Sequence, residues 1–134
     1  MTEAIIDTDI LVFFFRGNDK ISKKFSEYLH QFGQLNLSII SYYEVMAGLI
    51  YRGAEKQIRE FELFIAANIV IHISDDSARR SAMVYSDLRK KGITIGSSDI
   101  LIAGIALEND LTLITNNVKH FSAIGGLKIE NWNR

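Results

Sequence analysis

Short, uninterrupted apolar runs alternate with longer stretches of helical periodicity along the whole chain, and this alternation narrows the possible folds more than any single residue does. Ala4-Ile5-Ile6, Leu35 to Ile40, Ile69-Val70-Ile71, Leu111 to Thr115 and Leu127-Lys128-Ile129 have the length and chemistry of strands. Strands that alternate with helices define an α/β domain with a mainly parallel sheet, in which ligands bind beyond the carboxyl ends of the strands.

The intervening segments read as helices. Ile10 to Phe15 is an apolar helical segment closed by Arg16-Gly17-Asn18. Ile21, Phe25, Tyr28, Leu29 and Phe32 recur at spacings of three and four, and Gly33 is placed to stop that helix. Ser41-Tyr42-Tyr43-Glu44 has the pattern of a capping box, which predicts a helix opening there and running to about Tyr51, with Gly53 beyond it. Ala54 to Ala67 is a further helix, apolar at Ile58, Phe61, Leu63 and Phe64. Ser74 caps the next, which runs to about Lys91 and ends at Gly92. Ser97 or Ser98 caps another, whose stretch from Ile100 to Leu107 is apolar on nearly every face and is therefore read as buried. Asn116-Asn117 begins a short polar connection to Phe121, and Gly125-Gly126 makes a turn.

The 134 residues are expected to form a single domain over 1–134, a size that buries roughly two thirds of the unfolded surface. A composition of 48% hydrophobic and 23% charged residues lacks the low hydrophobicity and high charge of disordered chains. With no cysteine, neither a disulfide framework nor a thiolate zinc site is available. Met1 to Ile6 has no export-signal pattern and no run approaches the ~20 apolar residues of a membrane span, so a cytoplasmic protein without a membrane partner is expected. The net charge of −1 decides nothing about nucleic acid, because acids gathered around a metal offset basic residues elsewhere.

Asp7, Glu44 and Asp99 lie far apart in the chain, each where an apolar segment begins or ends. Hard divalent cations take oxygen ligands, and a Mg2+ or Mn2+ ion serving phosphate chemistry is held by a few carboxylates, waters and substrate phosphate. Gathered by the fold into one pocket, the three acids point to metal-assisted phosphodiester chemistry. In many nucleases two ions about 3.5–4 Å apart share the activation of water and the stabilisation of the leaving oxygen.

Taken in order, Ile6-Asp7-Thr8-Asp9-Ile10-Leu11, Ser41 to Glu44 with Gly48, Ile95 to Asp99 with Ile102-Ala103, Thr115-Asn116-Asn117 with Phe121, and Leu127 to Trp132 resemble the PIN domain. Within that family they resemble the VapC-type toxins of bacterial and archaeal toxin–antitoxin pairs. The resemblance covers almost the whole chain and implies a three-layer α/β/α sandwich with a mainly parallel central sheet. It further implies a Mg2+- or Mn2+-dependent endoribonuclease, usually a homodimer, that inhibits translation and growth and is silenced by a cognate antitoxin. On this reading Asp7, Glu44 and Asp99 are the metal-binding acids, and Asn117 stands where many members carry a fourth. Asp9 is a second departure, since the pattern commonly has asparagine there; it either offsets Asn117 or caps the following helix. Thr115 and Ser98 are read as hydroxyls that orient water or an acidic ligand, as groups supporting metal ligands often do.

Each acid also has a plainer explanation. Glu44 at the third position after a serine cap closes a capping box for about 1 kcal/mol. Asp99 at a helix start is favoured by the macrodipole by ~0.3–1 kcal/mol when exposed. Asp7 resists such an explanation, because it ends a wholly apolar strand where an unpartnered carboxylate is costly. Asp75-Asp76 follow the Ser74 cap and are read as structural, outside the site. His30, His72 and His120 lack metal-ligand spacing and are read as surface or ordinary hydrogen-bonding groups, with only His120 near the expected pocket. Arg79-Arg80 and Arg89-Lys90-Lys91 read as a solvated face ahead of an RNA path, and Tyr42, Tyr43 and Tyr51 serve either base stacking or packing.

Two other functions fit parts of the pattern. Asp7-Thr8-Asp9 after an apolar strand resembles the nucleophile and acid–base pair of a haloacid-dehalogenase-type phosphohydrolase, although the chain has no room for the usual cap and no later paired-acid motif. The same fold also serves as a non-catalytic RNA- or protein-binding module, in which the acids merely cap helices.

Overall fold

The computed structural model describes residues 1–134. The elements run β1 (Ala4–Ile6), α1 (Thr8–Phe15), α2 (Asp19–Phe32), β2 (Asn36–Ser38), α3 (Ile39–Tyr51), α4 (Glu55–Ala66), β3 (Ile69–Ile71), α5 (Asp75–Lys90), α6 (Ser97–Glu108), β4 (Thr112–Ile114), α7 (Val118–Phe121) and β5 (Ile129–Glu130). All strand pairings are parallel, in the order β3-β2-β1-β4-β5. From β1 the chain builds outward through β2 and β3, then returns to lay β4 and β5 on the other side. The switch point of this sheet therefore falls between β1 and β4, the position where open α/β sheets bind ligands.

The pleat of β1 divides the core. Ile5 faces one layer, with Val84 and Leu88 of α5, Ile102, Ala103 and Ile105 of α6, and Phe121 of α7. Ala4 and Ile6 face the other, with Ile10 and Leu11 of α1 and Ile21, Phe25 and Tyr28 of α2. Helices thus cover both faces, as an all-parallel sheet requires, and the expected α/β/α sandwich is the fold observed. A smaller cluster of Met46, Leu49 and Phe61 joins α3 to α4.

Three local expectations are corrected. The second strand ends at Ser38, because Ser38 is extended (φ −88°, ψ 154°) and its side chain accepts the Ser41 N–H, starting α3 at Ile39. Ile39-Ile40 lies half-buried in the first turn of a helix rather than in a strand, and Glu44 sits inside that helix, outside any capping box. The cap of α6 is Gly96, with no side-chain hydrogen bond, rather than Ser97 or Ser98. The cap of α1 is Asp7, whose carboxylate accepts the Thr8 N–H, so Asp9 lies in the first turn and caps nothing. The connection after Asn117 contains one helical turn, α7, anchored by the fully buried Phe121. Ser74 caps α5 in a reciprocal capping box with Ser77, as its position predicts.

Gly104 sets the spacing of α5 against α6. A Cβ at this position would overlap the Ser81 hydroxyl and stand 2.6 Å from the Ser77 carbonyl oxygen, and the Ser81 hydroxyl itself donates to the Ile100 carbonyl at 3.0 Å. Gly104→Ala should therefore destabilise the fold by about 1–3 kcal/mol in urea unfolding, through forced separation of these two helices; an unchanged midpoint would contradict this packing account.

Candidate active site

Backbone register creates the site. Ile6 pairs with Ile114, the Asp7 N–H donates to the Ile114 carbonyl at 2.9 Å, and the chains then leave the sheet side by side. The Asp7 carboxylate is 5% exposed and both its oxygens are occupied. Oδ1 accepts the Thr8 N–H at 2.8 Å and Oδ2 accepts the Thr115 hydroxyl at 2.8 Å. The Thr115 oxygen in turn accepts the Asn117 N–H at 3.0 Å. Thr115 thus donates its hydroxyl directly to an acid.

Asp9, two residues further on, turns into the same region from the first turn of α1. Its Oδ2 accepts the Asn116 N–H at 3.1 Å, while Oδ1 is buried without a hydrogen-bond partner. Asn116 is held by the C-terminal segment, since the amides of Asn131 and Asn133 donate to its side-chain oxygen at 3.3 and 3.4 Å.

Glu44 joins through hydroxyl groups. The Thr8 hydroxyl donates to Glu44 Oε1 at 2.7 Å and lies 2.8 Å from the Ser41 hydroxyl. With the Thr8 proton committed to Glu44, Ser41 is the donor to Thr8. Thr8 therefore touches two of the acids, offering its backbone N–H to Asp7 and its hydroxyl to Glu44. It is a residue that reading the sequence for carboxylates alone does not single out, although it stands beside Asp7.

Asp99 enters from the first turn of α6, and its Oδ2 lies 3.0 Å from His120 Nε2. Ser98 beside it makes no side-chain hydrogen bond to any of these acids. Asn117 is exposed at the start of α7 and contributes its backbone N–H rather than its side chain. The direct contact of His120 with Asp99 was not legible from histidine spacing. The available signal was Phe121, an apolar residue in a polar connection, which anchors the turn that carries its neighbour inward.

Like charges and burial dominate the electrostatics. Burial first, then the neighbouring Asp9 charge, pushes the Asp7 carboxyl up to about 7, against the opposing hydrogen bonds from Thr115 and Thr8; the Asp99 charge adds a smaller push. Asp9 is also raised, chiefly by burial and against the Asn116 N–H. Asp7, Asp9 and Asp99 consequently feel one another's charge. Glu44 is tied to this group through Thr8.

A divalent cation fits this donor set. All the acids offer hard oxygen ligands, and Asp9 keeps a buried oxygen with no protein partner. No three His, Asp or Glu side chains converge closely enough to cage an ion with protein atoms alone. A cation bound here would draw further ligands from water or substrate phosphate.

The other candidates fall outside. Asp75 and Asp76 lie in the first turn of α5, where Asp76 pairs with Arg80 at 3.4 Å in solvent. His30 and His72 are exposed. Tyr42 stacks on Phe61 with centroids 5.8 Å apart, while Tyr43 and Tyr51 face solvent.

A three-layer parallel α/β/α fold with carboxylates collected at its switch point defines a PIN-like domain. The chain belongs to the PIN domain family, whose pattern it matches over residues 4–127. Ribonuclease VapC1 of Haemophilus influenzae is 29% identical over 131 residues, which cover 97% of this chain and 98% of the relative. The tRNA(fMet)-specific endonuclease VapC of Shigella flexneri is 28% identical, with 98% of this chain and 99% of the relative covered. Among solved structures, DNA-bound VapBC from Salmonella typhimurium is similar with a TM-score of 0.89 at 26% identity, over 98% of this chain and 99% of that one. VapBC2 from Rickettsia felis, bound to a DNA fragment from its promoter, is similar with a TM-score of 0.88 at 27% identity, over 96% of this chain and 98% of that one.

The Asp7 shift has a definite sign. A carboxyl raised from 3.8 to about 7 in the folded state binds more protons folded than unfolded, so its contribution to stability is complete below the unfolded value and is lost as pH rises through about 7. Chemical denaturation in EDTA should show that loss, and Asp7→Asn should flatten it, stabilising the cation-free protein at pH 8 by about 1–3 kcal/mol. A less stable Asp7→Asn protein at pH 8 would contradict the burial of an uncompensated charge.

Proposed function

We propose that this chain is a one-domain endoribonuclease of the VapC type, acting with Mg2+ or Mn2+ on RNA and restrained by a cognate antitoxin. The observation that carries this reading is the group Asp7, Asp9 and Asp99 at the switch point of a PIN domain, with Glu44 attached through Thr8. The ribonuclease and endonuclease names of full-length relatives support the reaction, and the VapBC complexes among the similar structures support the antitoxin partner. The name of the Shigella relative makes initiator transfer RNA the first defined substrate to test. No helix of the protein is long and apolar enough to cross a membrane.

Asp7 and Asp99 are assigned as the principal cation-holding carboxylates, with Glu44, tied to this group through Thr8, as the third. When bound, a divalent cation supplies the positive charge against which the scissile phosphate and attacking water are polarised. Thr115 and Thr8 keep the Asp7 oxygens from rotating, and the Ser41–Thr8 hydroxyls orient Glu44 in the same way. Asp9 restores, beside Asp7, the negative charge that Asn117 lacks. Its fixed Oδ2 and free Oδ1 give it one oxygen anchored to the fold and one available to a ligand.

The phosphohydrolase reading explains less of the site. That reading uses Asp7 with Asp9 and gives no role to the Thr8 and Thr115 hydroxyls that tie Asp7 to the rest of the acidic group. It also leaves the gathering of Asp99 and Glu44 unused.

Purified, antitoxin-free protein should cut total RNA at discrete positions with Mn2+ or Mg2+ and not in EDTA, as mapped by fragment-end sequencing. Asp7→Asn and Asp99→Asn should each lower the cleavage rate by about 10²–10³-fold while remaining folded. Asn117→Asp should retain activity or bind the cation more tightly, and Asp75→Ala and Asp76→Ala should cleave at near wild-type rates. Folded wild-type protein that leaves RNA and tRNA intact under all these conditions would instead favour a non-catalytic binding module.

A further inference from the structure

Each acid of the site has a donor supplied by the fold, and the donors differ in kind. Asp7 is held by a backbone N–H and a threonine hydroxyl, Asp9 by the backbone N–H of Asn116, and Glu44 by the Thr8 hydroxyl. Asp99 has one such donor, the His120 imidazole, whose Nε2 lies 3.0 Å from Oδ2. A carboxylate oxygen only accepts, so Nε2 carries the hydrogen of this contact. The other Asp99 oxygen makes no hydrogen bond within the protein.

The donor is itself anchored. His120 stands on α7, where the next residue, Phe121, is completely buried, and the imidazole meets the Phe121 ring edge-on at 5.4 Å and 87°. The turn begins at Asn117, whose N–H is held by Thr115, the residue that also holds Asp7. The two side chains of the pair are 29% and 33% exposed, so the contact is partly open to solvent rather than sealed in the core. Hydrogen bonds of this kind fix the orientation of a ligating carboxylate, and their loss typically costs 10–100-fold in metal affinity.

We propose that His120 is the positioning residue for Asp99: it clamps one carboxylate oxygen from α7 and so presents Asp99, in the first turn of α6, as a preformed cation ligand. The inference rests on the reading of Asp99 as a cation ligand given above. It assigns to a histidine the orienting role that Ser98, adjacent in sequence, does not fill.

The test is Mn2+ binding by the full chain, measured by titration calorimetry on wild type, His120→Ala, His120→Gln and Asp7→Asn, with circular dichroism to establish folding. Wild type should bind Mn2+ and Asp7→Asn should not. His120→Ala should bind about 10–100-fold more weakly, and His120→Gln, whose amide nitrogen can replace Nε2 as donor, should recover most of that loss. Cleavage by His120→Ala should fall at subsaturating Mn2+ and recover as Mn2+ is raised. The electron spin echo of the bound Mn2+ should show no directly coordinated imidazole nitrogen. Equal Mn2+ affinity in wild type and His120→Ala overturns the positioning role while leaving the nuclease reading intact. A ligated nitrogen lost in His120→Ala also overturns it, by making His120 a ligand in its own right. No Mn2+ binding by wild type removes the reading of the site and this inference together.

Discussion

Parallel pairing of β1 with β4 brings Asp7 and Thr115, 108 positions apart, out of the sheet as neighbours, and the rest of the site is arranged around that junction. The first strand provides the acid and the fourth the hydroxyl that holds it. The loop after the fourth strand supplies the Asn116 N–H to Asp9, and the turn after that loop supplies His120 to Asp99. Only α3, with Glu44, approaches from the opposite side, and it is tied in by Thr8 immediately after the first strand. One pairing in the middle of the sheet thus determines which side chains meet.

The same junction concentrates unfavourable charge. An ordinary core avoids an unpaired buried carboxylate because its desolvation is expensive, yet here burial and a neighbouring acid act on Asp7 together. The surrounding packing carries that cost. Ile5, Ile6, Leu113 and Ile114 are completely buried, and Ile5 and Leu113 face one helical layer while Ile6 and Ile114 face the other. Each fully buried side chain of this size contributes roughly 1.5–3 kcal/mol. Stability is given up locally where the carboxylates gather, a recurrent relation between stability and activity in enzyme sites.

The architecture was legible from the chain because its signals are regular. The apolar runs mark all five strands, and the stripe from Ile21 to Phe32 and the Ser74 cap mark helices that form where expected. Errors fell at boundaries where two signals compete. Ser38 and Ser41 both suit a helix cap, and the Ile39-Ile40 pair reads as strand until tertiary packing places it in the first turn of α3. The acids were legible by type and position, and the family resemblance ordered them. Their relations were not, because the Thr8 bridge to Glu44 and the His120 contact with Asp99 span 36 and 21 positions. Such contacts follow from strand order and helix placement, which periodicity does not encode. Asn117 shows the complementary limit: its place near the site was evident, while the use of its backbone rather than its amide depends on the turn it begins.

The distance along the chain between Asp7 and its partners also bears on synthesis. A ribosome delivers β1 and α1 long before β4, so Asp7 and Asp9 emerge without Thr115, Asn116 or His120 to receive them. Non-local contacts of this kind form late, after the intervening segments have been released. The nascent chain therefore carries its acids separately for most of its elongation, and they become a common pocket only when β4 inserts beside β1. Assembly of the site therefore waits for the synthesis of β4, and until then the growing chain does not present the finished acidic pocket to the RNA that surrounds it.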